Sequence, residues 1–348
     1  VLFAQSASSA APSATLSSIT VTGNPFGLVD AGRAESVLQG DALAERLRAT
    51  LGETLATLPG VSSSYFGPTV SRPIIRGLDG ERVRVLEDGA ASVDAASLSP
   101  DHAVPIEPLS IARIEVLRGP AALLYGSNAI GGVVNAISNR IPRAQAQAFG
   151  ADVSLTGATG DRARTAAGRL HGRAEALAFH VDGSVRESED VRTPRFILDG
   201  ESRDRIANSA LKANSLALGA SRVGGSGYFG ASIDRYDSTY GIVATDDVTI
   251  DMQRTRLSVA GSAKLERVTP VSDVSTHIAF TDYKHSEIEG NAEAGTRFAN
   301  RGLEWRVEAK TRTFGSWRGV AGASGERTRF TAVGEEAFVP PNTTRVLA

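Results

Sequence analysis

Ile111–Ser138, IARIEVLRGPAALLYGSNAIGGVVNAIS, is the stretch on which the reading of this chain turns. The run Arg113–Leu117 has the composition of a strand and breaks at Arg118-Gly119-Pro120. A small-residue segment, Ala121–Gly126, follows, and Gly131-Gly132 leads into a second apolar run, Val133–Ile137. Glycine tolerates positive φ and lets backbones approach closely, so this spacing predicts a compact, tightly packed domain. No GxxxxGK[ST] and no strand–GxGxxG–helix accompanies Ser127–Gly132, which weighs against a phosphate cradle.

Upstream, Arg72–Gly89 reads RPIIRGLDGERVRVLEDG. Together the two stretches closely resemble the plug domain of TonB-dependent outer-membrane receptors. The resemblance implies an α+β plug followed by an antiparallel transmembrane β-barrel of about 22 strands with the plug in its lumen. It also implies import of a scarce nutrient across the outer membrane of a Gram-negative cell. The energy would come from the inner membrane through TonB with ExbB and ExbD.

Composition is compatible with this. The chain of 348 residues has no cysteine, one methionine, 36 glycines, 22% charged residues and a net charge of −2. No disulfide framework or cysteine-based zinc site can form, and the near-neutral balance gives no reason to expect nucleic acid as a partner. No run reaches the roughly 18 apolar residues of a transmembrane helix. A membrane-spanning reading therefore requires a closed barrel in outer-membrane lipid.

Val1–Ser6 reads as the tail of an export signal with an A-x-S cleavage site at Ala4–Ser6. Residues 7–35 are expected to be flexible at first and contain LSSITVTGNP, Leu16–Pro25, which resembles a TonB box. Ser18, Ile19, Thr20, Val21 and Thr22 alternate in a way that suits β-augmentation by the transducer; an ordinary first strand is the other reading.

The plug is expected over 36–145. Thr50 and Glu53 form a capping-box pattern ahead of Leu51, Leu55 and Leu58, Pro59-Gly60 ends that helix, and Arg82–Leu86 alternates as a strand closed by Asp88-Gly89. Arg72, Arg76, Arg113 and Arg118 are candidates to pair with carboxylates on the barrel wall.

From 146 to 348 the texture becomes that of barrel strands. Glu304, Arg306, Glu308, Lys310 and Arg312 alternate with Leu303, Trp305, Val307 and Ala309. Leu177, Phe179, Val181 and Val185 likewise oppose His180, Asp182 and Arg186, and Val274, Ile278 and Phe280 oppose Ser275 and His277. Such period-2 alternation suits lipid outside and a wet lumen inside; a soluble β-sandwich also alternates. About nine strands are expected, with a tenth starting near Asn342. Long connections are predicted at Glu187–Arg205, Asp237–Val248, Ser286–Arg297 and Val333–Thr343, and short ones at Thr269-Pro270 and Phe314–Trp317. So few strands cannot close around a plug, so the barrel is expected to be truncated here.

The plug apex is expected at Asp94–Pro108, DAASLSPDHAVPIEP, stiffened by three prolines. Asp101 and His102 are both competent zinc ligands. The apex, together with FTDYKHSEIEGNA at Phe280–Ala292, resembles the ZnuD-type zinc receptors. That resemblance implies zinc as the transported ligand, not a resident cofactor, bound by Asp101 and His102 with a barrel-loop glutamate, Glu336 or the adjacent Glu335. The loop after Tyr240-Gly241 departs from those receptors in lacking histidine, though it keeps Asp246 and Asp247. Asp282, His285, Glu287 and Glu289 form a second acid- and histidine-rich rim that could concentrate cations. A ferric siderophore, haem or cobalamin is the alternative cargo. A non-transporting adhesin or phage-receptor barrel is the alternative of another class, against which a TonB box argues. No Ser/His/Asp constellation or HExxH supports an enzyme.

Overall fold

The computed structural model describes residues 35–126, 128–143, 149–243, 247–265, 270–290, 294–317, 319–334 and 341–347. The chain opens with β1 (Glu35–Gln39), α1 (Asp41–Ala44) and α2 (Leu51–Leu55), followed by the short pair β2 (Val61–Ser63) and β3 (Pro73–Ile75). Next come β4 (Val83–Glu87), β5 (Ala90–Ala91), β6 (Arg113–Leu117) and β7 (Gly132–Ile137). Five of these strands form one sheet in the order β1-β6-β7-β4-β5, with β4 and β7 parallel. Thr50 caps α2 by accepting the Glu53 N–H at 3.3 Å, so the capping-box pattern sets the helix start. The leucines of α2 are driven into a core with Ile75, Ile114 and Val134. Burying each of these large aliphatics contributes about 1.5–3 kcal/mol.

Gly132 shows why the opening stretch is rich in glycine. Its φ is +146°, and a Cβ there would stand 2.7 Å from the Leu117 carbonyl oxygen across the β6–β7 ladder. Only glycine gives β7 this entry.

The second sheet is built from β8 (Phe149–Gly157), β9 (Arg164–Ala174), β10 (Leu177–Ser188), and then, after the hairpin β11 (Arg192–Leu198) and β12 (Glu201–Arg205), from β13 (Leu211–Gly224) onward. It continues through β14 (Gly227–Gly241), β15 (Thr249–Lys264), β16 (Val271–Ile288), β17 (Ala294–Thr311), β18 (Val320–Val333) and β19 (Asn342–Leu347). Among the described residues, ten strands pair antiparallel in chain order apart from that hairpin, and the sheet is open at β8 and β19. One face is apolar and bare: Leu177, Ile278, Phe280, Leu303 and Val307 are exposed. The opposite face carries His180, Asp182, Glu304 and His285, all buried under the first domain. This is the expected arrangement of lipid face, lumen face and plug. Among the described residues no helix is long and apolar enough to cross a membrane, so any crossing is made by strands.

Two expectations are corrected. The predicted loops are shorter than read, because β14 runs to Gly241, β15 starts at Thr249, β16 reaches Ile288 and β17 starts at Ala294, while Glu187–Arg205 contains the β11–β12 hairpin. Strand pairing continues through polar residues that hydropathy alone assigns to loops. The plug arginines are the other case. Arg72 donates to the Gly80 carbonyl at 3.3 Å and Arg113 pairs with Glu115 at 3.0 Å, both within the plug, while Arg118 lies beside Arg76.

Pairing with the wall is done by other residues. Arg84 bridges Glu326 and, at 3.8 Å, Glu304. A second, fully buried junction centres on Glu87 and Arg140. Arg140 meets Glu87 at 2.9 Å and both Asp182 and Asp234 at 3.1 Å. Arg254 meets Glu87 at 2.5 Å and also pairs with Asp234, and Arg256 donates to the Glu87 and Ala91 carbonyls. Burial works against ionisation of Glu87, but Arg254, Arg256 and Arg140 outweigh it and hold the carboxyl at about 2.

Candidate metal site between plug and barrel wall

The segment between β5 and β6 forms the apex of the plug, on the side of the sheet where the longer connections lie. Longer loops mark the extracellular end of such a barrel. Val70, Ala95 and Ala103 of the plug pack against Tyr236, Tyr240, Ile250, Met252, Tyr283 and Phe298 of the wall. The Tyr240 hydroxyl accepts the Ala103 N–H at 3.0 Å, which fixes the height of the neighbouring His102.

His102 is 2% exposed. Its Nδ1 lies 3.0 Å from Asp101 Oδ1, and the same carboxylate accepts from the Ser99 hydroxyl. Its Nε2 lies 3.3 Å from Glu287 Oε1 on β16. His285, two residues before Glu287, faces the same lumen, with ring centroids 4.5 Å from His102 and stacked on Phe298 at 4.3 Å. Both ring nitrogens of His285 are buried without a hydrogen-bond partner. One ligand atom each from His102, His285 and Glu287 falls within 4.8 Å of the others. Ligand atoms around tetrahedral zinc sit roughly 3.4 Å apart, so closing on an ion needs at most about 1.5 Å of movement.

Burial would lower the pKa of His102, but the carboxylates of Asp101 and Glu287 beside its two ring nitrogens outweigh that and raise it to about 9. The hydrogen bond from His102, opposed by burial and helped by Ser99, holds Asp101 at about 2. Asp101 thus fixes the ring through Nδ1 and leaves Nε2 aimed at the barrel, the carboxylate–histidine pairing that orients metal ligands.

The sequence-derived candidates therefore regroup. His285 and Glu287 join His102 in one cluster instead of forming a separate rim. Asp282 turns to the other face of β16, where it pairs with Arg301 at 3.1 Å and Lys284 at 3.6 Å. Glu289 lies at the strand end beside Gly295. Glu335, Glu336, Asp246 and the segment Ser18–Thr22 lie outside the described residues. The alternation of β16 could have put His285 and Glu287 on one face; nothing in the sequence gives their height relative to the apex.

Comparison with known proteins places this geometry. Residues 28–133 match the TonB-dependent Receptor Plug Domain. A haemin receptor of Yersinia pestis is 26% identical over 85% of this chain and 44% of its own length. The vitamin B12 transporter BtuB of Vibrio vulnificus is 25% identical over 81% and 45% respectively. The chain thus spans a little under half the length of these curated relatives. In fold it is similar to the copper transporter OprC, with a TM-score of 0.70 at 17% identity over 86% of this chain and 46% of that one. The siderophore receptor PirA of Pseudomonas aeruginosa gives 0.64 at 19% identity over 90% and 51%. Residues 28–133 thus carry a TonB-dependent receptor plug domain, seated by buried ion pairs on an antiparallel wall with a bare apolar outer face, an arrangement similar to that of the outer-membrane receptors named above.

Proposed function

We propose that the whole receptor takes up a scarce metal nutrient at the cell surface with energy from TonB, and that it engages the metal at the His102–His285–Glu287 cluster. The carrying observation is the convergence of a buried plug histidine with a histidine and a glutamate from the barrel wall. Two imidazoles and a carboxylate, with a fourth position free for a cargo ligand, suit a transition metal.

Two cargo classes have separate support. The relatives that share most of this chain are named for haemin and vitamin B12, which favours a metal chelate such as haem, cobalamin or a ferric siderophore. That reading has the broader backing. Zinc as a bare ion is backed by the donor set and the resemblance of the apex alone. Calorimetric titration of the full-length receptor with zinc chloride and, separately, with haemin decides between them. The true cargo should bind saturably and lose at least about tenfold in affinity in His102→Ala, the scale of losing a metal-supporting group. Undiminished binding of both in the His102→Ala/His285→Ala receptor removes the cluster from recognition.

A further inference from the structure

On β16 the odd-numbered residues face the plug, so His277 shares a face with His285 eight positions away, roughly 27 Å along the strand. Both ring nitrogens of His277 are shielded from solvent without a hydrogen-bond partner. Burying polar atoms unpaired is costly, so such a group calls for an explanation. On β17, Glu304 pairs with Ala279, diagonal to His277, and is 7% exposed; its Oε2 accepts the Ala91 N–H at 2.5 Å, and its Oε1 accepts no hydrogen bond.

Three cavities line up between the plug and this part of the wall. The first, of about 260 Å³, runs from Asp94 and Asn300 below the apex to Arg84 and Glu304. The second, of about 50 Å³, is lined by Arg84, Glu304, Tyr125 and His277. The third, of about 100 Å³, continues from His277 to Asp88, Arg143 and Glu308. Shared residues make them consecutive, and each has room for at least one water-sized occupant.

We propose that His277 and Glu304 form a second metal-ion station, where a divalent ion released from the apex pauses on its way along the seam between plug and β16–β17. The inference rests on the bare-ion form of the cargo reading. In the second cavity Arg84 and Arg306 balance Glu304 and Glu326, and in the third Arg143 and Arg306 balance Asp88 and Glu308. Arg306 is also engaged elsewhere, over the Tyr125 ring at 4.5 Å and on the Leu124 carbonyl at 2.8 Å. A neutral lining with two unsaturated ligand groups holds an ion well enough to admit it and weakly enough to release it, as passage requires. Arg84 stands where the first and second cavities meet, so an ion reaches His277 by displacing Arg84 from Glu304.

Crystals of the full-length receptor soaked in cobalt chloride test this by anomalous diffraction, with zinc uptake by energised cells as the second readout. The station predicts a cobalt peak at His277 that disappears in His277→Ala while the apex peak stays. It also predicts zinc uptake lowered at least about tenfold with surface binding unchanged. His277→Gln, which keeps the side-chain bulk, should behave likewise if the alanine variant folds poorly. Cobalt at the apex with none at His277, or unchanged uptake in a folded variant, overturns the station and leaves the cargo reading standing. A peak at His277 with none at the apex shows a metal site there but overturns its supply from the apex, and with it both the bare-ion reading and the station as proposed, and no peak at either overturns both.

Discussion

With its pKa raised to about 9, His102 carries a proton at neutral pH, and a metal ion engaged at the proposed cluster would have to displace it. Below that value each bound ion releases one proton from this ring, so affinity should rise roughly tenfold per pH unit between about pH 6 and 9 and level off above. Titrations at several pH values check the slope. A flat profile would mean that His102 does not coordinate. Asp101→Asn removes the strongest support of the protonated ring, so the rise should level off at lower pH. The Asp101-His102 pair was legible because a proline-stiffened turn carrying two ligand types is a local feature. Its partners were not. His285 meets His102 only because the plug sits at one height on β16, and that height depends on contacts such as Tyr240 with Ala103. Arg84 was passed over for a related reason: the alternation Arg82–Leu86 marks a polar face but does not say that this face meets Glu304 and Glu326.

The strands themselves were the most readable elements. Glu304 and Trp305 illustrate why, since neighbours on a strand must point oppositely, and burial puts Glu304 in the lumen. Trp305 pairs with Gly325 on the outer side, where a Cβ would stand 2.6 Å from the indole nitrogen. Spin labels should find position 305 accessible to lipid-soluble oxygen and position 304 shielded from it; the reverse would overturn the register. Strand ends were harder to read because β16 has 18 residues, against the roughly 9–11 that cross a bilayer, so its polar extension looks like loop. The junction around Glu87 belongs to this scale too. Glu87→Gln should cost about 3–5 kcal/mol by leaving buried guanidinium groups uncompensated, measured by denaturant unfolding of the full-length receptor. The Glu87 carboxyl, normally near 4.5, is depressed to about 2. Its contribution is therefore fully present above 4.5 and is lost as pH falls towards 2. Gly219→Ala offers an independent check, because the new Cβ would lie 1.8 Å from the Arg140 carbonyl oxygen. Overpacking of this kind costs about 1–3 kcal/mol, and a variant as stable as the parent would contradict the seating.

For the whole molecule, the ten strands described leave an open sheet, in keeping with a chain that covers a little under half of its curated relatives. The proposed link to TonB through Ile19–Thr22 predicts that Val21→Pro in the full receptor abolishes energised uptake, because proline cannot donate to an added strand. Ligand binding at the surface should survive, and uptake at the parental rate would place the contact elsewhere. The buried junction carries a further consequence at this scale. The plug brings one anion and one cation to it, Glu87 and Arg140, while the wall brings Arg254 and Arg256 against Asp182 and Asp234. Each contributor is electrically balanced by itself, and Arg254 and Asp234 already satisfy one another across β14 and β15. Drawing the two apart would leave no surplus charge on either, so no long-range attraction would have to be overcome beyond the contact distance. Such a seat grips at hydrogen-bond range and, were the plug drawn away, would leave neither surface with a net charge to hold it back.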